Sequence, residues 1–146
     1  MRNTLKDSIK IATSFQEVLK ITLETVAEIK RHDSHKRIGY VAGKVTADGK
    51  ENIKRNLDRL HKFTEEISKD FGENIFSPAD VFNEKVYWVI NIPKPVHEQD
   101  FYVFWQKVLG SGITDIFMTP EWERSTGASN EHKTAKKLGL TIHYIK

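Results

Sequence analysis

"ITDIFMTPEWERSTGASNEHKTAKKLGLTIHYIK", residues 113–146, holds a strand, a helix and a second strand in one passage. Residues 113–119 form a short apolar run, 127–138 carry helical spacing, and 140–145 return to strand-forming residues. Two strands joined by a helix of that length run parallel, because a hairpin needs only a few linking residues. Working outward, the same alternation recurs. "IGYVAG" (38–43) reads as a buried first strand, and Asp48-Gly49 as a turn. From Asn52 an amphipathic helix follows, with Ile53, Leu57, Leu60 and Ile67 in phase. "NIFSPADVF" (74–82) reads as a short strand entering a loop at Pro78. "EKVYWVINIPKPV" (84–96) is either an extra strand or an extended insertion, and "DFYVFWQKVLGSG" (100–112) is a helix stopped by Gly110 and Gly112. The pattern predicts an α/β domain with a parallel sheet covered on both faces.

Ahead of this body, at 38–146, lies an arm over 1–37. Leu5, Ile9 and Ala12, then Phe15, Leu19, Leu23 and Val26, recur at helical spacing. Ser14 and Glu17 have the spacing of a capping box, which predicts a break and restart there. The arm's apolar stripe leads to the expectation of packing on the body or on a second subunit, and of a homo-oligomer.

Charge and composition exclude several function classes. The 146 residues are 38% hydrophobic and 29% charged, with a net charge of +3. Residues 1–37 hold eight Lys/Arg against five Asp/Glu, so the remaining fifteen and fifteen leave the body neutral. A nucleic-acid polymer needs a basic face and is not an expected partner. With no cysteine, thiolate metal sites and disulfides are excluded. His97, His132 and His143 share no ligand spacing, so neither a metal nor a cofactor is expected. No apolar run reaches the roughly 18–20 residues that span a bilayer, and "MRNTLKDSIK" lacks the apolar core of a secretory signal. The expectation is a cytoplasmic protein without membrane contact.

Ligands of open α/β sheets sit at the carboxyl ends of the strands. Residues 40–44, 77–80 and 119–131 reach that edge. Gly43 is either a turn glycine or a point of close approach to a ligand, and Lys44 is placed to meet a phosphate. Neither a full Gly-x-Gly-x-x-Gly nor a Walker lysine motif is present. Ser125 and Thr126, with the N–H groups behind Gly127, could cap the last helix or bind an anion. Trp122, Trp105 and Tyr40 could wall a planar base. On the last helix Ala128, Glu131, Ala135 and Leu138 share one face, which is inward. Glu131 interrupts it. A capping box opened at Ser125 or Thr126 wants its acid at 128 or 129, so Glu131 is either a misplaced dipole partner or a reactive carboxylate whose burial raises its pKa.

"YVAG" (40–43) and "EWERSTGASNE" (121–131), with Ala135 and Leu138-Gly139 following, resemble the nucleoside 2-deoxyribosyltransferase superfamily. The branch most similar is bacterial and phage, and the Ser125-x-Gly127-x-x-x-Glu131 spacing also resembles the deoxynucleoside monophosphate N-hydrolases. The resemblance, over Ile38 to Tyr144, implies a three-layer flavodoxin-like or Rossmann-like sheet that cleaves N-glycosidic bonds of a nucleoside or nucleoside 5′-monophosphate. It implies Glu131 as nucleophile at C1′, Ser125 as a contact to the 5′-phosphate or hydroxyl, and Tyr40 as a wall near the sugar. A binding domain that senses a nucleotide without turnover is the alternative. The chain departs from the pattern in carrying Lys44 where Pro or Ser is common and Glu121 where Gly is common. The acid expected about eight residues before Asp115 is also missing, because Lys107 stands there. "HEQD" (97–100) makes Asp100 the candidate for that acid, with Asp115 a second candidate at the pocket edge.

Overall fold

The computed structural model describes residues 1–82 and 95–146. Its centre is a sheet of four parallel strands: β1 (Gly39–Ala42), β2 (Ile75–Phe76), β3 (Asp115–Met118) and β4 (Thr141–Tyr144). Their order is β2-β1-β3-β4. Gly39 pairs with Ile75 on one side and Asp115 on the other, and Asp115 pairs with Thr141. Every strand therefore ends on the same edge. The 2-1-3-4 order is the flavodoxin-like winding, whose reversal point lies between β1 and β3.

Strand alternation sorts side chains to two faces. Tyr40, Ala42, Ile116 and Met118 enter one apolar cluster, and Val41, Ile75 and Phe117 the other. The second cluster is covered by α3 (Ile53–Phe71), through Leu57 and Leu60. The first is covered by α5 (Glu98–Leu109) and α6 (Thr126–Leu138), through Phe104, Val108, Ala128 and Ala135. The result is three layers, as the alternation of elements predicted. The short α4 (Pro78–Val81) follows β2. The expected strand or insertion at 84–96 falls, up to residue 94, outside the described residues.

The N-terminal segment forms α1 (Arg2–Ile9) and α2 (Phe15–His32). Ser14 Oγ accepts from Glu17 N–H at 3.1 Å, so the restart lies where the capping pattern put it. The Glu17 carboxylate reaches back one residue further, to Thr13 N–H at 2.7 Å. Leu5, Ile9, Val18 and Val26 are fully or almost fully buried in the same cluster as Tyr40 and Phe104. The arm is thus part of the main core, and the chain itself covers the stripe that suggested a second copy. Among the described residues no helix is long and apolar enough to cross a membrane.

Candidate active site

At the carboxyl edge a cavity of about 590 Å³ opens between the loop after β1, α4, α5 and the start of α6. That volume is within the range of small-molecule sites. Gly43, Ser125, Thr126, Gly127 and Glu131 all line it, as do Phe82, Phe101, Tyr102 and Trp105.

Glu131 sits in its wall, 6% exposed. Its Oε1 accepts a short hydrogen bond from the Tyr40 hydroxyl, reaching from β1 to α6. Burial pushes the carboxyl up to about 8, and the Tyr40 hydrogen bond opposes that rise. Ser125 is the N-cap, accepting from Ala128 N–H at 3.1 Å, so capping is done without Glu131. Ser125 can still donate its own proton into the cavity. Ala128 and Ala135 are buried as the face required, but Leu138 is 46% exposed. It stands in the last turn, at the exposed end of the helix.

The aromatic wall differs from the expected one. Trp105 lines the cavity. Tyr40 lies behind it, 4.8 Å away between ring centres, and is wholly buried. Trp122 is not among the lining residues; it stacks on His132 at 4.3 Å, and His132 Nε2 lies 2.7 Å from the Tyr144 hydroxyl.

Three charged candidates are drawn elsewhere. Lys44 lies between Asp48 at 3.1 Å and Glu121 at 3.0 Å and is not among the lining residues, although Gly43 and Val45 on either side are. Hydrogen bonds to Glu121 and Asp48 hold its pKa above the usual lysine value. Its partner Glu121 has a left-handed backbone, φ 70°, the conformation glycine adopts without strain. The two positions that depart from the resembled pattern are therefore ion-paired to each other. Asp100 is exposed, and its Oδ2 accepts from His97 N–H at 2.9 Å, closing a capping box at the start of α5. Asp115 opens β3, at the end of the sheet opposite the cavity, and is only 2% exposed. Arg37 binds it at 2.6 and 3.2 Å, with Thr114 at 2.6 Å and His143 at 2.8 Å. Burial alone would raise its pKa, but these hydrogen bonds outweigh it and hold the group at about 2.

Gly43 lines the cavity, yet the protein alone explains its missing side chain. A Cβ there would clash with the Thr119 hydroxyl and lie 2.8 Å from Leu60 Cδ2. That hydroxyl donates to Ala42 C=O at 2.8 Å and locks the ends of β1 and β3 together.

Residues not anticipated complete the site. Glu98 and Tyr102, one turn apart on α5, both line the cavity. The Tyr102 hydroxyl donates to Glu98 Oε1 at 2.5 Å. Burial first, and then that carboxylate, push the phenol up to about 12, so it remains a hydroxyl donor at any physiological pH. The i, i+4 spacing of Glu98 and Tyr102 is visible in the sequence. The helix start that turns Glu98 into the cavity and Asp100 into the cap is not.

The model of the family described as Domain of unknown function (DUF4406) matches residues 37–144. The chain belongs to this family. Comparisons with curated proteins and with solved structures give no match. The match spans every strand of the sheet and all the cavity residues, and stops short of α1 and α2.

Proposed function

We propose that this DUF4406 domain cleaves the N-glycosidic bond of a nucleoside or nucleoside 5′-monophosphate, with Glu131 as nucleophile. The observation that carries the reading is a carboxyl buried in the wall of an aromatic-lined cavity, held from behind by the Tyr40 hydroxyl. Among the described residues Glu131 has no cationic partner, and a buried acid left so is costly for folding and marks a candidate reactive group. As the C1′–N bond breaks, an oxygen of the ionised Glu131 carboxylate forms a bond to C1′ and the departing base takes a proton from solvent. Water, or a second base, then displaces Glu131 from C1′. The two displacements replace one harder one, and the dry wall strengthens electrostatic support for the positive charge developing on the sugar.

The other cavity residues supply binding. Trp105, Phe101 and Phe82 offer faces for a planar base. The Ser125 hydroxyl, the N–H groups at the start of α6, and Arg124 face the same space and suit a 5′-phosphate or hydroxyl. Glu98 takes the hydroxyl-binding role expected of Asp100, since it is the acid of α5 that lines the cavity. A homo-oligomer is proposed because members of the resembled superfamily commonly assemble, the arm's stripe being packed on the body.

A second reading, nucleotide sensing without turnover, draws on the same carboxyl. With its pKa near 8, Glu131 is mostly protonated at pH 7 and is a hydrogen-bond donor until a ligand changes its surroundings. Incubation with a panel of nucleosides and 5′-monophosphates, with chromatography of free base, separates the two. Base release lost in Glu131→Gln supports the enzyme; calorimetric binding without release supports the sensor. No binding of any member overturns both.

A further inference from the structure

The family match begins at residue 37, yet α1 and α2 are built into the back of the cavity wall. Asp80 lies in α4 between Pro78 and Phe82, two lining residues. Its side chain is 0% exposed. One oxygen, Oδ2, accepts from Ser77 N–H at 2.9 Å and closes the capping box of α4. The other faces α1: Arg2 Nε lies 3.1 Å from it and Lys6 Nζ 3.5 Å. Arg2 also donates through Nη2 to His61 Nδ1 at 3.0 Å. A guanidinium can only donate, so that ring nitrogen carries no proton, and His61, 3.5 Å from Asp80, is a neutral neighbour. Among the described residues the cations on Asp80 therefore come from the first helix. A second contact comes from Phe15 at the start of α2, stacked on Phe82 with centres 6.0 Å apart and edge-on to Phe101 at 5.4 Å. Both of those rings line the cavity.

We propose that α1 and α2 position the substrate site: Arg2 and Lys6 act through Asp80, and Phe15 through Phe82 and Phe101, to set the wall formed by α4 and α5. The inference rests on the cavity being the substrate site. A helix of four residues has no stability of its own, so α4 takes its position from its partners. Apolar packing would hold it at least as strongly as a buried ion pair. What the pair adds is register, because any slip of α1 leaves a buried carboxylate without its cation. The positioning residues are not proposed to touch substrate.

The test uses the full chain with Arg2→Met, Asp80→Asn, the two combined, and Arg2→Lys as the conservative variant. Amide hydrogen exchange of the free protein and the KM and kcat of base release are read on each. In Arg2→Met, exchange across residues 77–82 should rise about tenfold while Thr126–Leu138 is unchanged. KM should rise about threefold to tenfold with kcat retained. Arg2→Lys should recover most of both. Adding Asp80→Asn to Arg2→Met should cost no more than either alone, because the neutral amide no longer needs a cation. A lower thermal midpoint, with exchange across residues 77–82 and KM at wild-type values, would make the contact purely structural and overturn the proposal. If wild-type protein releases no base from any substrate, the glycosidase reading fails while the exchange measurement still decides whether Arg2 holds α4.

Discussion

Two carboxyl groups lie at opposite ends of the same sheet, both almost wholly buried, and their chemistry diverges. Asp115, at the amino end of β3, meets Arg37, His143 and Thr114 and is held at about 2. Glu131, at the carboxyl edge, meets one tyrosine hydroxyl among the described residues and is pushed up to about 8. Burial is the largest influence on each and acts in the same direction on both. The number and charge of the donors decides the outcome. One end of the sheet spends a carboxylate on closing the fold, and the other keeps one poorly satisfied beside a cavity.

The largest effect that tests this contrast is on activity. Glu131→Gln should reduce base release by at least about a thousandfold if the acid is the nucleophile; chromatographic assay showing near-normal turnover would end that assignment. The same variant should be more stable than wild type in neutral and alkaline solution. Glu131 has a folded pKa raised above its unfolded value, so its contribution is favourable below about pH 4.5 and is lost as pH rises through 8. Denaturant melts should show a gain on the order of 2 kcal/mol or more at pH 8, closing near pH 4.

Asp115→Asn should do the opposite. It should destabilise by about 2 kcal/mol at neutral pH, through loss of charge-assisted hydrogen bonds. Because the folded pKa is depressed, wild-type stability from this group is present above about pH 4 and fades as pH falls toward 2. Urea melts of the two proteins should therefore converge in acid; a constant gap across pH would show that the ionised carboxylate is not what matters. Catalysis in Asp115→Asn, measured where it is folded, should match wild type.

Smaller effects sharpen the Glu131 end. In the wild type, kcat/KM should climb with pH to a plateau above about 8, reporting ionisation in the free protein. Tyr40→Phe removes the hydrogen bond that lowers this pKa, so the rise should move to higher pH, with about tenfold lower activity at pH 7. An unshifted profile would mean that Tyr40 serves packing alone.

The alternation of strands and helices was legible in the sequence because each element advertises its own buried face. Tyr40 and Ala42 against Val41, or Leu57 and Leu60 in phase, need no knowledge of the rest of the chain. The inward direction of Glu131 was legible for the same reason, through its spacing from Ala128 and Ala135. Leu138 was misjudged because a face is inward only as far as the sheet beneath it extends. Asp100 and Glu98 show a finer limit, since a shift of two residues along a helix start turns one acid into a cap and the other into a cavity wall. Lys44 looked free for a phosphate because one partner, Glu121, is 77 positions away, and the other, Asp48, meets it only through the fold of the loop between them. Gly43 stayed open between a turn and a ligand approach because Thr119 and Leu60, which leave no room for a side chain there, are equally invisible from its neighbours.

From the sequence alone came the layered α/β architecture, the restart of the arm at Ser14 and the anomalous acid of the last helix. All of these follow from short-range periodicity and capping, which the local chain sets. Only the tertiary structure decided which acids are satisfied and which is left beside the cavity, and that α1 and α2 belong to the core that shapes it. Partners such as Asp80 and Arg2, or Tyr40 and Glu131, are joined by folding across 78 and 91 positions, and no local pattern records such a meeting.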